Sequence, residues 1–180
     1  AAEKLRRDIA NYARSNFPII IHGETGTGKE LVAQGIHAQS RRENGPFVAF
    51  NCSSMSTDLL RSELFGYVDG AFTGAAKGGK KGQFQLAEGG TLLVDEIGDL
   101  VYEGQGLLLR ALENLTVARV GAGSSERLVD VRIISATHVN LAEAVCARKF
   151  RQDVYHRVSR ILLMVPPLRE RLTDINQLAD

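Results

Sequence analysis

The chain has 180 residues, 44% of them hydrophobic, with 22 Lys and Arg against 21 Asp and Glu. That is enough apolar material for one domain with a sizeable core, which excludes a disordered chain. The near-neutral balance excludes a global field drawing the chain onto nucleic acid or an anionic membrane, and no apolar run approaches the ~18 residues of a membrane span.

Apolar strands alternate with amphipathic helices, a pattern that predicts a parallel sheet in an α/β domain. A first helix is expected over residues 4–15, with Leu5, Ile9 and Tyr12 on one face. Residues 18–21, "PIII", read as a short buried strand, followed by a glycine-rich turn and a helix over 28–40 carrying Leu31, Val32, Ile36 and His37. "FVAF" at 47–50 is a second strand. A helix over 57–64 has Ser56 as its cap and Leu59, Leu60 and Leu64 facing inward. Next comes "GYVDGAFTGAAKGG", a glycine-rich stretch with Phe72 at its centre. "TLLVDE" at 91–96 is a buried strand ending in two acids, and "GQGLLLRALEN" is helical. Residues 116–120 and 127–131 flank a turn and pair as a hairpin. Two more strands lie at 131–137 and 160–165 before Pro166 and Pro167 break the pattern ahead of a last helix. The cysteines, Cys52 and Cys146, lack metal-site spacing and read as core or partly buried thiols, which suits a reducing cytoplasm.

"GETGTGK", Gly23 to Lys29, fits the pattern G-x-x-x-x-G-K and stands between a buried strand and a helix. Glycines there let backbone N–H groups turn toward phosphates, the helix N-terminus adds partial positive charge, and Lys29 brings a full one. Glu30 stands where Ser or Thr usually meets Mg²⁺. Asp95 and Glu96 close a buried strand at its carboxyl end, where open α/β sheets place their ligands. Asp95 suits Mg²⁺, and Glu96 suits a general base on an attacking water. Phosphoryl transfer also needs cations, and "FRQDVYHR" offers Arg151 and Arg157, which read equally well as surface or salt-bridged arginines.

The order of these motifs resembles the central AAA+ ATPase domain of bacterial activators of sigma-54 RNA polymerase. The resemblance runs from Ile19 to Ile175 through "GETGTGKELVAQGIH", "NCSS", "SELFGYVDGAFTGA", "GGTLLVDEIGDL", "LLLRALE", "VDVRIISATHVNL", "FRQDVYHRV" and "PPLRERLTDI". "ELFG" followed by "GAFTGA" is specific to this branch, and Glu30 after the lysine is usual in it.

The resemblance implies a nucleotide cradle of Gly23, Glu24, Thr25, Gly26, Thr27, Gly28, Lys29 and Glu30, with ATP and Mg²⁺ as ligands. It makes Asp95 the metal-holding acid and Glu96 the catalytic one. Asn51 matches the asparagine that holds the catalytic glutamate; it also reads as a helix cap before "CSS". Arg151 and Arg157 match arginine fingers reaching into a neighbouring subunit, which implies a ring, usually a hexamer. His138, after Thr137, falls at the γ-phosphate sensor where the family usually has asparagine; it reads too as a strand-end cap. Gly70, Ala71, Phe72, Thr73, Gly74 and Ala75 match the loop that contacts sigma-54.

The implied function is an ATP-hydrolysing, cytoplasmic machine that contacts the sigma-54 holoenzyme and drives promoter opening. The 180 residues read as the α/β part of the AAA+ domain, without the helical lid, the sensory domain or the DNA-binding domain. Two other readings stand beside it: another AAA+ protein-remodelling ATPase, and a non-hydrolysing nucleotide-binding regulator. "GAFTGA" argues against the first, and Lys29, Asp95, Glu96, Arg151 and Arg157 together argue against the second.

Overall fold

A computed structural model describes residues 2–114, 116–122 and 127–170. The elements follow in chain order as α1 (Ala2–Ala13), β1 (Ile19–His22), α2 (Lys29–Ala38), β2 (Phe47–Asn51), α3 (Thr57–Phe65), β3 (Gly66–Tyr67), β4 (Lys80–Lys81), α4 (Gln83–Leu86) and β5 (Thr91–Asp95). A 3-10 turn (Ile97–Asp99) leads to α5 (Tyr102–Asn114), β6 (Thr116–Val117), β7 (Arg127–Leu128), β8 (Arg132–Thr137), α6 (Leu141–Cys146), α7 (Gln152–Val158) and β9 (Ile161–Met164). A second 3-10 turn (Leu168–Glu170) closes the described part; the last helix expected after Pro167 otherwise falls outside it.

Five strands form one parallel sheet in the order β2-β5-β8-β1-β9. Such sheets are covered on both faces, so their strands read as continuous apolar runs. Strand alternation splits those runs between two cores. Ile19 and Ile21 of β1, Leu93 of β5 and Ile134 of β8 pack with α1 and α2 on one face. Ile20, Leu92, Val94 and Ile133 pack with α3, α5 and α7 on the other. Truncating any of these to alanine costs about 2–5 kcal/mol.

The predicted hairpin is present but shorter than expected: among the described residues only Thr116–Val117 and Arg127–Leu128 pair, antiparallel, and Val120 bridges Tyr67 instead. Ser56 caps α3 as expected, its Oγ accepting from Leu59 N at 3.4 Å. Leu59 departs from the expected inward face: it is 47% exposed, whereas Leu60 and Leu64 are buried. Leu60 and Leu64, four apart, stack along one stripe, and Leu59 lies about 100° round the helix from it. Of the cysteines, Cys52 is buried and its thiol pKa is pushed up to about 12, chiefly by desolvation. Cys146, in the last turn of α6, is exposed rather than core. Among the described residues, no helix is long and apolar enough to cross a membrane.

Candidate active site

The carboxyl ends of β1, β5 and β8 deliver the chemistry to one edge of the sheet. Parallel register sets His22 beside Thr137 and Asn51 beside Asp95. From β1 the chain enters the glycine-rich turn, with Gly26 and Gly28 in left-handed conformation at φ 80° and 83°. A side chain at either position would strain the turn. Gly23 is needed for a different reason: a Cβ there would sit 2.8 Å from Val165 O and 2.9 Å from Thr27 Oγ1. Thr27 Oγ1 donates to Glu24 O at 2.7 Å and tightens the turn. Thr25 is exposed at its tip, and Gly28 opens α2.

Lys29, in the first turn of α2, is 6% exposed. Its ammonium donates to Gly23 O at 3.1 Å and Glu24 O at 3.3 Å and lies 3.3 Å from Glu96 Oε1. All three partners are acceptors, and phosphate oxygens would address the same donor. The turn therefore fits a nucleotide's phosphates: a buried cation, backbone free to approach and a helix N-terminus behind it. Glu30 points along the helix surface, accepting from Gln34 Nε2 at 3.3 Å.

Asp95 ends β5, and its Oδ1 accepts from Glu96 N at 3.0 Å. Burial raises its pKa, with the Glu96 charge adding to the effect. Glu96 adopts the left-handed region at φ 52°, turning its side chain out of the strand line and into the cleft. Its Oε2 accepts from His138 N at 3.3 Å and lies 2.8 Å from His138 Nδ1. Desolvation alone would raise the Glu96 pKa. The His138 hydrogen bond and the Lys29 charge outweigh it and hold the carboxyl below its usual value. Glu96 is thus ionised at neutral pH and clamped between a lysine and a histidine.

The structure brings Lys29, Glu96 and His138 into one hydrogen-bonded chain beside Asp95. Asn51 stays outside it. Its Oδ1 accepts from Ser53 N at 2.9 Å, closing an Asx turn rather than capping a helix, and among the described residues no hydrogen bond joins it to Glu96. The two arginines also engage other partners. Arg151 forks onto Asp153 at 3.0 and 2.7 Å, with its guanidinium 5.9 Å above the Tyr102 ring. Arg157 donates to Leu112 O at 2.9 and 2.6 Å and to Glu113 O at 3.1 Å, satisfying carbonyls in the last turn of α5. Two residues without an assigned role also reach the site. Arg169 forms a bidentate pair with Glu24 at 2.7 and 2.6 Å, and Asp99 stands one 3-10 turn beyond Glu96. The "DEIGD" spacing holds the signal for Asp99; no local pattern links Arg169 to Glu24, 145 residues away.

The stretch containing Phe72 rises from a tight base. β3 and β4 pair antiparallel, and a Cβ on Gly66 would lie 2.3 Å from Lys80 O. At the loop's base Lys80 pairs with Glu63 at 2.6 Å. Val68 N donates to Val120 O at 3.0 Å, and Val120 N to Gly66 O at 2.9 Å, so the connection that follows β6 braces the loop. Above the base the loop is open. Gly70, Gly74 and Gly78 all have positive φ, and a Cβ on any of them would meet nothing within 4 Å. Thr73 is exposed, and Ala71 and Ala75 are half-buried. Phe72 remains 47% exposed and rests edge-on against Tyr67, 5.0 Å between centroids.

A parallel sheet with this cradle and acid pair defines a P-loop nucleotide-binding domain. The P-loop NTPase domain of a sigma-54 transport activator from E. coli shares the fold: TM-score 0.60 over 93% of this chain and 95% of that one, at 20% identity. The chain belongs to the sigma-54 interaction domain family, which it matches over residues 1–164. The response regulator protein PilR of Pseudomonas aeruginosa is 51% identical over 176 residues, covering 98% of this chain and 39% of PilR. NtrX from Brucella abortus, in a crystal structure in complex with ATP, superposes with TM-score 0.87 at 41% identity over 98% of this chain and 39% of that one. The chain spans about a third of the length of the curated relatives it matches.

Proposed function

We propose that this chain is the ATP-hydrolysing core of a sigma-54-dependent transcriptional activator. The carrying observation is the Lys29–Glu96–His138 chain at the carboxyl edge of the sheet. Lys29 and the backbone of Gly23–Gly28 bind and orient the phosphates. Asp95 would hold Mg²⁺, which would neutralise charge developing on the transferred phosphoryl group. Glu96, ionised and facing the cleft, accepts a proton from the attacking water. His138 orients that carboxylate and senses the outer phosphate. Asn51 shares the strand end with Asp95 and takes hold of Glu96 in another nucleotide state.

Arg151 and Arg157 act on a neighbouring subunit's nucleotide in a homo-oligomeric ring, a hexamer by resemblance. In support, neither turns into this chain's own cleft: Arg151 pairs with Asp153, and Arg157 with the end of α5. The loop from Gly70 to Ala75 carries Phe72 to sigma-54, and hydrolysis moves it to open the promoter. DNA contact falls to a domain outside residues 1–180. The decisive experiment is Glu96→Gln: the variant retains nucleotide and loses at least 100-fold in turnover, in line with the 10²–10⁴-fold a positioned base contributes. Wild-type turnover by Glu96→Gln would remove Glu96 from that role.

A further inference from the structure

Glu96, Asp99 and His138 each present a ligand atom, all lying within 4.8 Å of one another. The backbone imposes this grouping. Asp99 N donates to Glu96 O at 3.0 Å, closing a 3-10 turn that puts both acids on one side. Gly98 inside that turn has no room for a side chain: a Cβ would lie 2.6 Å from Thr137 Oγ1 and 2.7 Å from Val139 Cβ. The turn is thereby pressed against residues 137–139, which brings Asp99 to His138.

Two further features set how the donors are presented. Among the described residues, the Asp99 carboxylate has no hydrogen bond and no ion pair, although a second carboxylate stands beside it. Lys29 addresses Oε1 of Glu96, whereas Oε2 faces His138 Nδ1. The cleft thus has two sides, one toward the cradle and one toward Asp99.

We propose that Glu96, Asp99 and His138 form a binding site for a borderline divalent ion of the Zn²⁺ class, distinct from the Mg²⁺ that accompanies nucleotide. The donor set decides the class. One imidazole with two carboxylates, and a fourth position open to water, suits zinc and its neighbours, whereas Mg²⁺ demands oxygen ligands in octahedral array. Metal–ligand bonds of ~2.0–2.2 Å set tetrahedral ligands ~3.4 Å apart. The 2.8 Å Glu96–His138 pair opens slightly, and the exposed Asp99 side chain swings inward. The bound ion takes Oε2 of Glu96 and so blocks the carboxylate. This inhibitory consequence rests on the proposed role of Glu96 as base; the binding itself does not.

The test titrates Co²⁺, as a spectroscopic stand-in, into a tag-free chain carrying Cys146→Ser, without nucleotide and in excess Mg²⁺. The expected result is a visible absorption that saturates at one equivalent and is displaced by Zn²⁺. Asp99→Asn and His138→Asn should each weaken binding at least tenfold, with circular dichroism confirming the fold. Lys29→Ala should keep the site. Absence of the band in the parent chain overturns the proposal, as does a band surviving in the Asp99→Asn/His138→Asn double variant or one lost to Mg²⁺. Zn²⁺ should also inhibit ATP hydrolysis at the binding concentration. Binding without inhibition keeps the site and removes only the base role of Glu96; a chain that hydrolyses no ATP still gives the Co²⁺ result.

Discussion

Lys29 Nζ lies 3.3 Å from Glu96 Oε1, with side-chain exposures of 6% and 15%. One ion pair thus joins the phosphate cradle to the acid at the end of β5. Two roles meet in it: the cation addresses phosphate and, together with the His138 hydrogen bond, keeps the anion ionised. Lys29→Ala removes both. Two charge-assisted hydrogen bonds at ~1.5–3 kcal/mol each correspond to a loss of nucleotide affinity of about 100-fold or more. Fluorescent-nucleotide titration measures it. Affinity within threefold of wild type would place the phosphates elsewhere.

Arg151 and Arg157 lie on α7 and at its start, engaged with Asp153 and with the end of α5. Action in trans makes turnover per chain rise steeply with protein concentration. It also makes two dead variants complement each other. Mixed Lys29→Ala and Arg157→Ala chains should hydrolyse ATP faster than either alone, because a neighbouring pair regains one intact interface. Sedimentation establishes that the mixture assembles. An assembled mixture with no gain at any ratio argues against shared sites.

His37 supplies a pH dependence far from the chemistry. Its ring is 8% exposed, Nδ1 lies 2.9 Å from Thr91 Oγ1, and the ring tilts against Phe47. Burial lowers its pKa and the Arg132 charge adds to this, while a hydrogen bond with the Gly45 backbone works the other way. The folded state therefore resists a proton that the unfolded chain accepts near pH 6.5. His37's neutral form stabilises fully above that pH, and the contribution declines as pH falls from about 6.5 toward the lower folded-state value. His37→Gln should flatten the decline of the thermal midpoint between pH 7 and 5 relative to wild type. Parallel midpoint curves would show that other groups carry the acid sensitivity.

The sheet was legible because buried parallel strands leave runs such as "TLLVD", and the cradle because glycines between strand and helix have few other uses. What escaped depends on distance in sequence or on less than a turn of helix. Leu59 sits beside Leu60 in the chain yet faces water, since one residue is 100° of rotation. α4 and α6 are too short, at four and six residues, to show a period. Asn51 capping its own turn and Arg157 closing α5 belong to this arrangement of the chain. A motif names the residue and leaves open which partner it holds.

Phe72 concerns the partner rather than the nucleotide. It meets Tyr67 edge-on and leaves about half its ring in water, on a loop with open space where a Cβ on Gly70 or Gly74 would sit. An aromatic pair of this kind contributes about 0.5–1.5 kcal/mol. Phe72→Ala should therefore lower stability by no more than about 1.5 kcal/mol and leave ATP hydrolysis near wild type. An exposed aromatic that anchors a protein interface is worth at least ~2 kcal/mol, or roughly 30-fold in affinity. Sigma-54 capture in the presence of a transition-state analogue should fall by that factor, and Thr73→Ala should weaken it less. Tyr67→Ala separates the ring's support from its contact: it frees Phe72 without removing it, and capture should drop by less than with Phe72→Ala. Wild-type capture by a folded Phe72→Ala chain would mean the ring serves the loop's own shape and meets sigma-54 nowhere.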